Sequence, residues 1–402
     1  MPHLLSLSTL YPARGREGFG RFVAAQMNAL AARGDWRVTV INPIGLPPLM
    51  PRAWLPGRYA ALRDIPAMEQ NGAVAVHHPR FALLPGLSGG FNPALIARAV
   101  LPLAWRLHRA APFDLVDAQF FYPDGPAAAV IARAMNLPLV IKARGSDIHY
   151  WGRRPSARRA MIAAARQAGA VLTVSAALGR DMAALGFPAE AMRVHHTGLD
   201  HTRFFPRPRA AARAALNLPP EARIVACVGA LIPIKGQTLA IAALAHMPDD
   251  VVLVLAGAGP DEAALRAEAT RSGLGERVRF LGNLDHDALP LLLSAAEAMV
   301  LPSEREGLAN AWIEAIACGA PIVIPEIGGA HEVIDQPEAG RITARDPHAI
   351  AEALNALLAA AAPQARVAQS AARFSWDSNA AALAEIYAGA IAGSSSAPSA
   401  TN

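Results

Sequence analysis

The sequence predicts an α/β protein of two Rossmann-like, doubly wound lobes facing a central cleft, and three observations carry that expectation. At 402 residues the chain is too long for one domain of ordinary size and suits two, each with its own core. Short apolar strands alternate with amphipathic or Ala-rich helical stretches from end to end, the pattern of βαβ units and parallel sheets. The segment His195–Pro208 (HHTGLDHTRFFPRP) breaks that rhythm with Gly, Pro and aromatic residues, and a fresh strand–helix series follows it.

In chain order, strands are expected near His3–Leu10, Arg37–Asn42, Leu115–Gln119, Leu139–Ala143 and Ala170–Ser175. Helices fall at Gly20–Arg33, Gly125–Met135, Pro155–Ala168 and Ala177–Leu185. Between Pro43 and Pro93 a Pro- and Gly-rich stretch reads as long loops with short inserts. The second series places strands at Ile224–Ala230, Val251–Gly257, Val278–Gly282, Ala298–Pro302, Pro321–Pro325 and Arg341–Thr343, each followed by a helical stretch. Trp376–Ala392 reads as a last helix, and Gly393–Asn402 (GSSSAPSATN) as a disordered tail. The expected organisation is therefore a first lobe over residues 1–200, a second over 201–373, a helix over 374–392 and the tail.

Composition narrows the class. The chain is 53% hydrophobic and 17% charged, which suits a globular core. No apolar run approaches the roughly 18 residues that span a bilayer, and MPHLLSLSTLYPARG lacks the basic and cleavage regions of a leader, so a first buried strand in a cytoplasmic protein is expected. Two cysteines, Cys227 and Cys318, lie in apolar surroundings and read as reduced core residues. A net charge of +5 favours an acidic partner. Only Lys142 and Lys235 are lysine; the other basic residues are arginine. Nucleic acid is not indicated, because the arginines are not interleaved with aromatics.

The most informative segment is Pro302–Glu332, PSEREGLANAWIEAIACGAPIVIPEIGGAHE. A strand ends at Pro302, a polar loop holds Glu304 and Glu306, and a helix runs from about Ala309 to a Gly319 cap. One acid at a strand end and Glu314 on the following helix can reach two parts of one polyhydroxyl ligand. Taken singly, each also reads as an ordinary helix-terminus or solvated residue. In Cys227–Gln237, CVGALIPIKGQ, a strand runs into a Gly turn with Lys235 just before a helix, an arrangement suited to a diphosphate. Tyr11–Leu30 puts glycines 15, 18 and 20 between the first strand and first helix.

Glu306-x7-Glu314, the ACG-x-P-[IV]-V run and the Gly328–Gly329 pair before Glu332 resemble the signature of glycosyltransferase family 4, the retaining, nucleotide-sugar-dependent enzymes with the GT-B fold. The resemblance covers nearly the whole chain, most loosely over Pro43–Gly90. It implies an acceptor lobe followed by a donor lobe, with the last helix crossing back to the first. It implies catalytic roles for Lys235 on the diphosphate and Glu306 at the donor sugar, and donor contacts from Gly18, Gly20, Gly229, Asn283, Gly307, Leu308, Asn310 and Glu314, the last on the ribose. Two positions depart from the family. Ala230 stands where an Arg usually joins the Lys, and Leu139–His149 (LVIKARGSDIH) has Arg144 where a His usually approaches the sugar. Arg144, Ser146 and Asp147 are read as contacts to acceptor or sugar; Arg144 meets a donor or acceptor phosphate, or else pairs with Asp147.

The reaction implied is departure of a nucleoside diphosphate from an anomeric carbon, with retention by same-face attack assisted by the leaving phosphate. Charge stabilisation on that leaving group should dominate. No cofactor is implied beyond the nucleotide sugar as co-substrate, and no His/Cys cluster with ligand spacing calls for a metal. The implied acceptor is a polysaccharide or lipid-linked glycan. Five arginines in Trp151–Arg166 read as a solvated helix face or as a peripheral contact with an anionic membrane. Two alternatives stand: a catalytically silent sugar-nucleotide binder, and an NAD-dependent oxidoreductase, whose fingerprint fails where Glu262 occupies the third small position after Gly257 and Gly259.

Overall fold

The computed structural model describes residues 1–48, 57–84, 86, 89–285 and 287–395. The chain divides into two compact units, one made of Met1–Gly198 with the segment from Trp376 onward, the other of Leu199–Ser375.

Unit 1 carries β1 (His3–Leu7), β2 (Arg37–Ile41), β3 (Ile44–Leu46), β4 (Met68–Asn71), β5 (Val74–His77), β6 (Arg80–Ala82), β7 (Leu115–Ala118), β8 (Leu139–Ala143), β9 (Ala170–Thr173) and β10 (Met192–Val194). Its main sheet has the order β10-β9-β8-β7-β1-β2-β5-β4. Every neighbouring pair in it is parallel except β4–β5. A run such as HLLSL in β1, buried at all five positions, is what a central parallel strand covered on both faces requires. The helix Arg21–Ala32 buries Val23, Met27 and Leu30, a 3- and 4-residue spacing that forms one stripe on the sheet. Leu383, Ala384 and Tyr387 of the last helix, Trp376–Ser395, enter the same core, and the Tyr387 ring meets Trp36 edge-on at 5.6 Å.

Unit 2 carries β11 (Arg223–Val228), β12 (Val251–Ala256), β13 (Val278–Gly282), β14 (Ala298–Val300), β15 (Ile322–Pro325) and β16 (Gly340–Thr343). They form one parallel sheet in the order β13-β12-β11-β14-β15-β16. Cys227 and Cys318 are buried free thiols, and burial pushes both up to about 12, which leaves them unreactive at neutral pH.

Two expectations need correction. The stretch Pro43–Pro93 is more regular than its composition suggests: β5 joins the main sheet beside β2, β4 folds back on it, and β3 pairs with β6. A 19-residue helix, Asn92–Ala110, follows and starts on Pro93 in its first turn. Residues 393–395, expected in the tail, continue the last helix, while 396–402 lie outside the described residues, as do 49–56 of the Pro/Gly-rich stretch.

Candidate active site

In both units the strand order reverses around the first strand, so each sheet has a topological switch point, where ligands of open α/β sheets bind outside the carboxyl ends. In unit 2 it lies between β11 and β14. The loop after β11 carries Lys235 and the loop after β14 carries Glu306, two residues far apart in sequence. Strand order brings them together: Lys235 Nζ lies 2.5 Å from Glu306 Oε1, with side chains 23% and 12% exposed. An ammonium at this position can neutralise phosphate, and a carboxylate beside it can accept from hydroxyls.

Backbone contacts hold the two loops against each other. The Glu304 amide donates to the Ile234 carbonyl at 2.7 Å. Gly236, at φ 72°, packs so tightly on the Pro302 carbonyl that a Cβ would overlap it, which explains the glycine directly after Lys235. Gly328, at φ 48°, lies in the same way on the carbonyls of Glu306 and Gly307, and the Gly329 amide donates to Gly307 O at 2.9 Å. The Gly328–Gly329 pair is therefore the floor of the Glu306 loop.

Glu314 sits in the helix Asn310–Ala317. Its carboxyl is partly buried and has no hydrogen-bond or ion-pair partner among the described residues; burial pushes it up to about 7. Gly307 and Leu308 are buried between the Glu306 loop and that helix, and Asn310 opens it. Gly229 follows β11 beside Lys235, and Ala230 is exposed after it. Asn283 is exposed after β13, the edge strand, and the strand order sets it apart from Lys235 and Glu306.

Unit 1 has its switch point between β1 and β7. Gly20, at φ 71°, caps the first helix and packs on the backbone of Leu10 and Tyr11, so its close approach is to its own loop; Gly18 has open space where a Cβ would stand. Asp147, expected as a ligand contact, is fully buried. Its carboxylate accepts from the amides of Phe121 (2.7 Å), Gly145 (2.8 Å), Arg144 (3.0 Å) and Ile148 (3.0 Å). It ties the loops after β7 and β8 together, and that corrects its assignment. Ser146 is exposed. Arg144 meets Asp147 through its backbone, while its guanidinium donates to Gln119 O (3.0 Å) and Gln119 Oε1 (2.7 Å) and lies over the Phe22 ring at 4.8 Å.

Sequence reasoning missed the buried polar network behind Arg144. Gln26 Nε2 donates to Gln119 Oε1 at 3.0 Å, Lys142 Nζ donates to Gln26 Oε1 at 3.1 Å and contacts His195 Nδ1 at 2.6 Å, and His195 Nε2 meets Asn379 O at 3.0 Å. Tyr387 donates to Asp117, as does Gln119. Burial drives the Lys142 ammonium well below its usual range and His195 down to about 2, so His195 is neutral. The signal was present as ionisable residues inside apolar strands, Asp117 in LVDA and Lys142 in LVIKA.

Residues 208–374 match the glycosyl transferases group 1 domain, and residues 17–198 match a glycosyl transferase 4-like domain. A D-inositol 3-phosphate glycosyltransferase from Streptomyces bingchenggensis is 30% identical over 359 residues, covering 82% of this chain and 78% of the relative. This chain belongs to the group 1 glycosyltransferases. The glycosyltransferase has the GT-B fold: sucrose-phosphate synthase from Thermosynechococcus elongatus superposes with a TM-score of 0.78 at 22% identity, over 98% of this chain and 100% of that one. Anabaena HepE in complex with UDP-glucose gives a TM-score of 0.70 at 23% identity, over 96% and 99%. Among the described residues no group of three or more His, Cys, Asp or Glu could hold a metal ion, and no helix is long and apolar enough to cross a membrane.

Proposed function

We propose that this glycosyltransferase moves a sugar from a nucleoside-diphosphate sugar to a glycan or lipid-linked acceptor with retention at the anomeric carbon. The observation that carries the reading is the meeting of Lys235 and Glu306 at the switch point of unit 2. In the unliganded protein Glu306 is the counterion of Lys235. A diphosphate entering there replaces it, and Glu306 is released to accept hydroxyl hydrogens of the donor sugar. Glu314 accepts from the ribose hydroxyls in its ionised form.

In the chemical step the bond from the anomeric carbon to the diphosphate oxygen breaks, and its electron pair leaves with the phosphate. The acceptor hydroxyl forms the new bond on the same face and passes its proton to the departing phosphate. Lys235 stabilises the charge that grows there. The nucleotide sugar is the co-substrate, and the step as written needs no metal. Bound UDP-glucose in Anabaena HepE and the inositol phosphate named for the Streptomyces relative support a nucleotide-sugar donor and a polyhydroxyl acceptor.

Thermal-shift screening with UDP, GDP, ADP and their sugars, followed by NMR of the anomeric product, tests this. Stabilisation by one nucleoside diphosphate and a product of unchanged anomeric configuration are expected. An inverted product would overturn retention, and no turnover with a stabilising donor would favour the silent sugar-nucleotide binder that Ala230 suggests.

A further inference from the structure

Arginines in this chain commonly meet a carboxylate, as in Arg213–Glu297, Arg223–Asp250 and Arg373–Asp335. Arg144 does not. It is only partly exposed at the carboxyl end of β8, beside the switch point of unit 1, and among the described residues its guanidinium has no carboxylate within ion-pair distance. The buried carboxyls of Asp147 and Asp117 act on it through space without an ion-pair contact, so burial of its charge is only partly compensated. Burial lowers it only to about 10, so it is charged at neutral pH.

The side chain is held in place from one edge. Its Nε and Nη2 are occupied by Gln119, whose Oε1 also accepts from Gln26 and whose Nε2 donates to Asp117 and, at 3.4 Å, to the Tyr387 hydroxyl. With both ends of that amide engaged, Gln119 cannot turn away. The Phe22 ring fixes the plane of the guanidinium. The remaining nitrogen, Nη1, has no hydrogen-bond partner among the described residues. Of the nearby acids, Asp147 is engaged by four backbone amides and Asp117 accepts from Tyr387 and Gln119 through Oδ2, so both act on the guanidinium through space rather than as contact ion pairs. A rigid guanidinium with one edge free is pre-organised for a planar or tetrahedral oxyanion, at little entropic cost on binding.

We propose that Arg144 is a specificity-determining residue that selects a ligand bearing a carboxylate or phosphate group at the switch point of unit 1. The assignment rests on the glycosyl-transfer reading above and narrows its substrate class: either the transferred sugar or the acceptor carries an anionic substituent. Selection comes from the charge-assisted bond to Nη1, which a neutral sugar cannot replace.

Saturation-transfer NMR titrations test it in two arms. On the acceptor side glucose 6-phosphate and glucuronate are compared with glucose; on the donor side UDP-glucuronate is compared with UDP-glucose. In wild type the anionic member of at least one pair is expected to bind about tenfold or more tighter than its neutral partner, the scale of one charge-assisted hydrogen bond. Arg144→Gln should abolish that preference, and Arg144→Lys should keep part of it. The arm in which the preference appears names the partner that carries the anion. Equal binding of anionic and neutral probes by wild type, or a preference that survives Arg144→Gln, overturns the proposal. Failure of the glycosyl-transfer reading itself would show differently, as the absence of stabilisation by any nucleoside diphosphate in wild type.

Discussion

At the switch point of unit 2 a lysine and a glutamate meet in a partly exposed ion pair, whereas at that of unit 1 Asp117, Asp124 and Asp147 are buried and, among the described residues, the Arg144 guanidinium has no carboxylate within ion-pair distance. The two places share a topology and differ in what their charges are free to do. Both side chains of this pair are mostly buried, so the ammonium needs a counter-charge, and a diphosphate taking the place of Glu306 would supply one. The unit 1 aspartates bond the backbone or buried side chains, Asp124 to the Thr9 amide at 2.8 Å and Asp147 to four amides. Removing such a carboxylate strands its donors. Acidic residues at equivalent topological positions are thus exchangeable partners in one unit and fasteners in the other.

The largest effect expected is catalytic and belongs to unit 2. Lys235→Ala should lower kcat for sugar transfer by about 10²- to 10³-fold while leaving the thermal midpoint close to wild type; a variant that loses stability and keeps its rate would invert the comparison. In unit 1 the sign reverses. Asp147→Ala should lower unfolding free energy by about 2–4 kcal/mol, read as a fall in the urea midpoint, and an unchanged midpoint would show that the four amide bonds do not fasten the loops.

Glu314 sharpens the contrast through pH. Its carboxyl is raised from 4.5 to about 7 by burial, so the folded protein holds this proton more tightly than the unfolded chain. The stability it affects is highest below about pH 4.5, falls as pH rises to about 7, and is level above that. Glu314→Gln should therefore gain about 1–2 kcal/mol over wild type at pH 8 and nothing at pH 4, measured by urea unfolding at the two values. An equal difference at both would place the effect outside its ionisation. The smallest effect concerns the basic helix face of unit 1, where Arg153, Arg154 and Arg159 are exposed and Arg154 stacks on Tyr150 and Trp151. As a peripheral membrane contact, this face should lose about 1 kcal/mol of binding per arginine neutralised. Sedimentation of the quadruple variant of Arg153, Arg154, Arg158 and Arg159 with anionic vesicles measures it, and unchanged binding at low salt removes the idea.

Much of the fold is legible in the sequence, because parallel strands buried on both faces write themselves as apolar runs: β8 and β13 fall on the expected residues, and β1, β7, β11 and β12 differ only at their ends. The strands that escape are β4, β5 and β10, together with the three-residue β3 and β6 of the same stretch as β4 and β5. β4 and β5 are four residues each, neither buried throughout, and set in a Pro/Gly-rich stretch, and β10 is an edge strand of three residues with two exposed. Motif spacing singles out Lys235, Glu306 and Glu314, whereas the meeting of Lys235 with Glu306 depends on β14 lying beside β11, which no local pattern encodes. Asp147 shows the limit in the other direction. A Gly-x-Asp at a strand end fits a ligand contact and a loop fastener equally well, and only the positions of the Phe121, Arg144, Gly145 and Ile148 amides decide for the fastener.

The most direct test of the central claim, that the switch point of unit 2 holds the donor diphosphate through Lys235, is isothermal titration of wild type and Lys235→Ala with UDP, GDP and ADP. One of the three should bind wild type, and Lys235→Ala should weaken that binding by about tenfold or more, the worth of one charge-assisted contact to phosphate. Equal affinity in the two proteins would contradict the account.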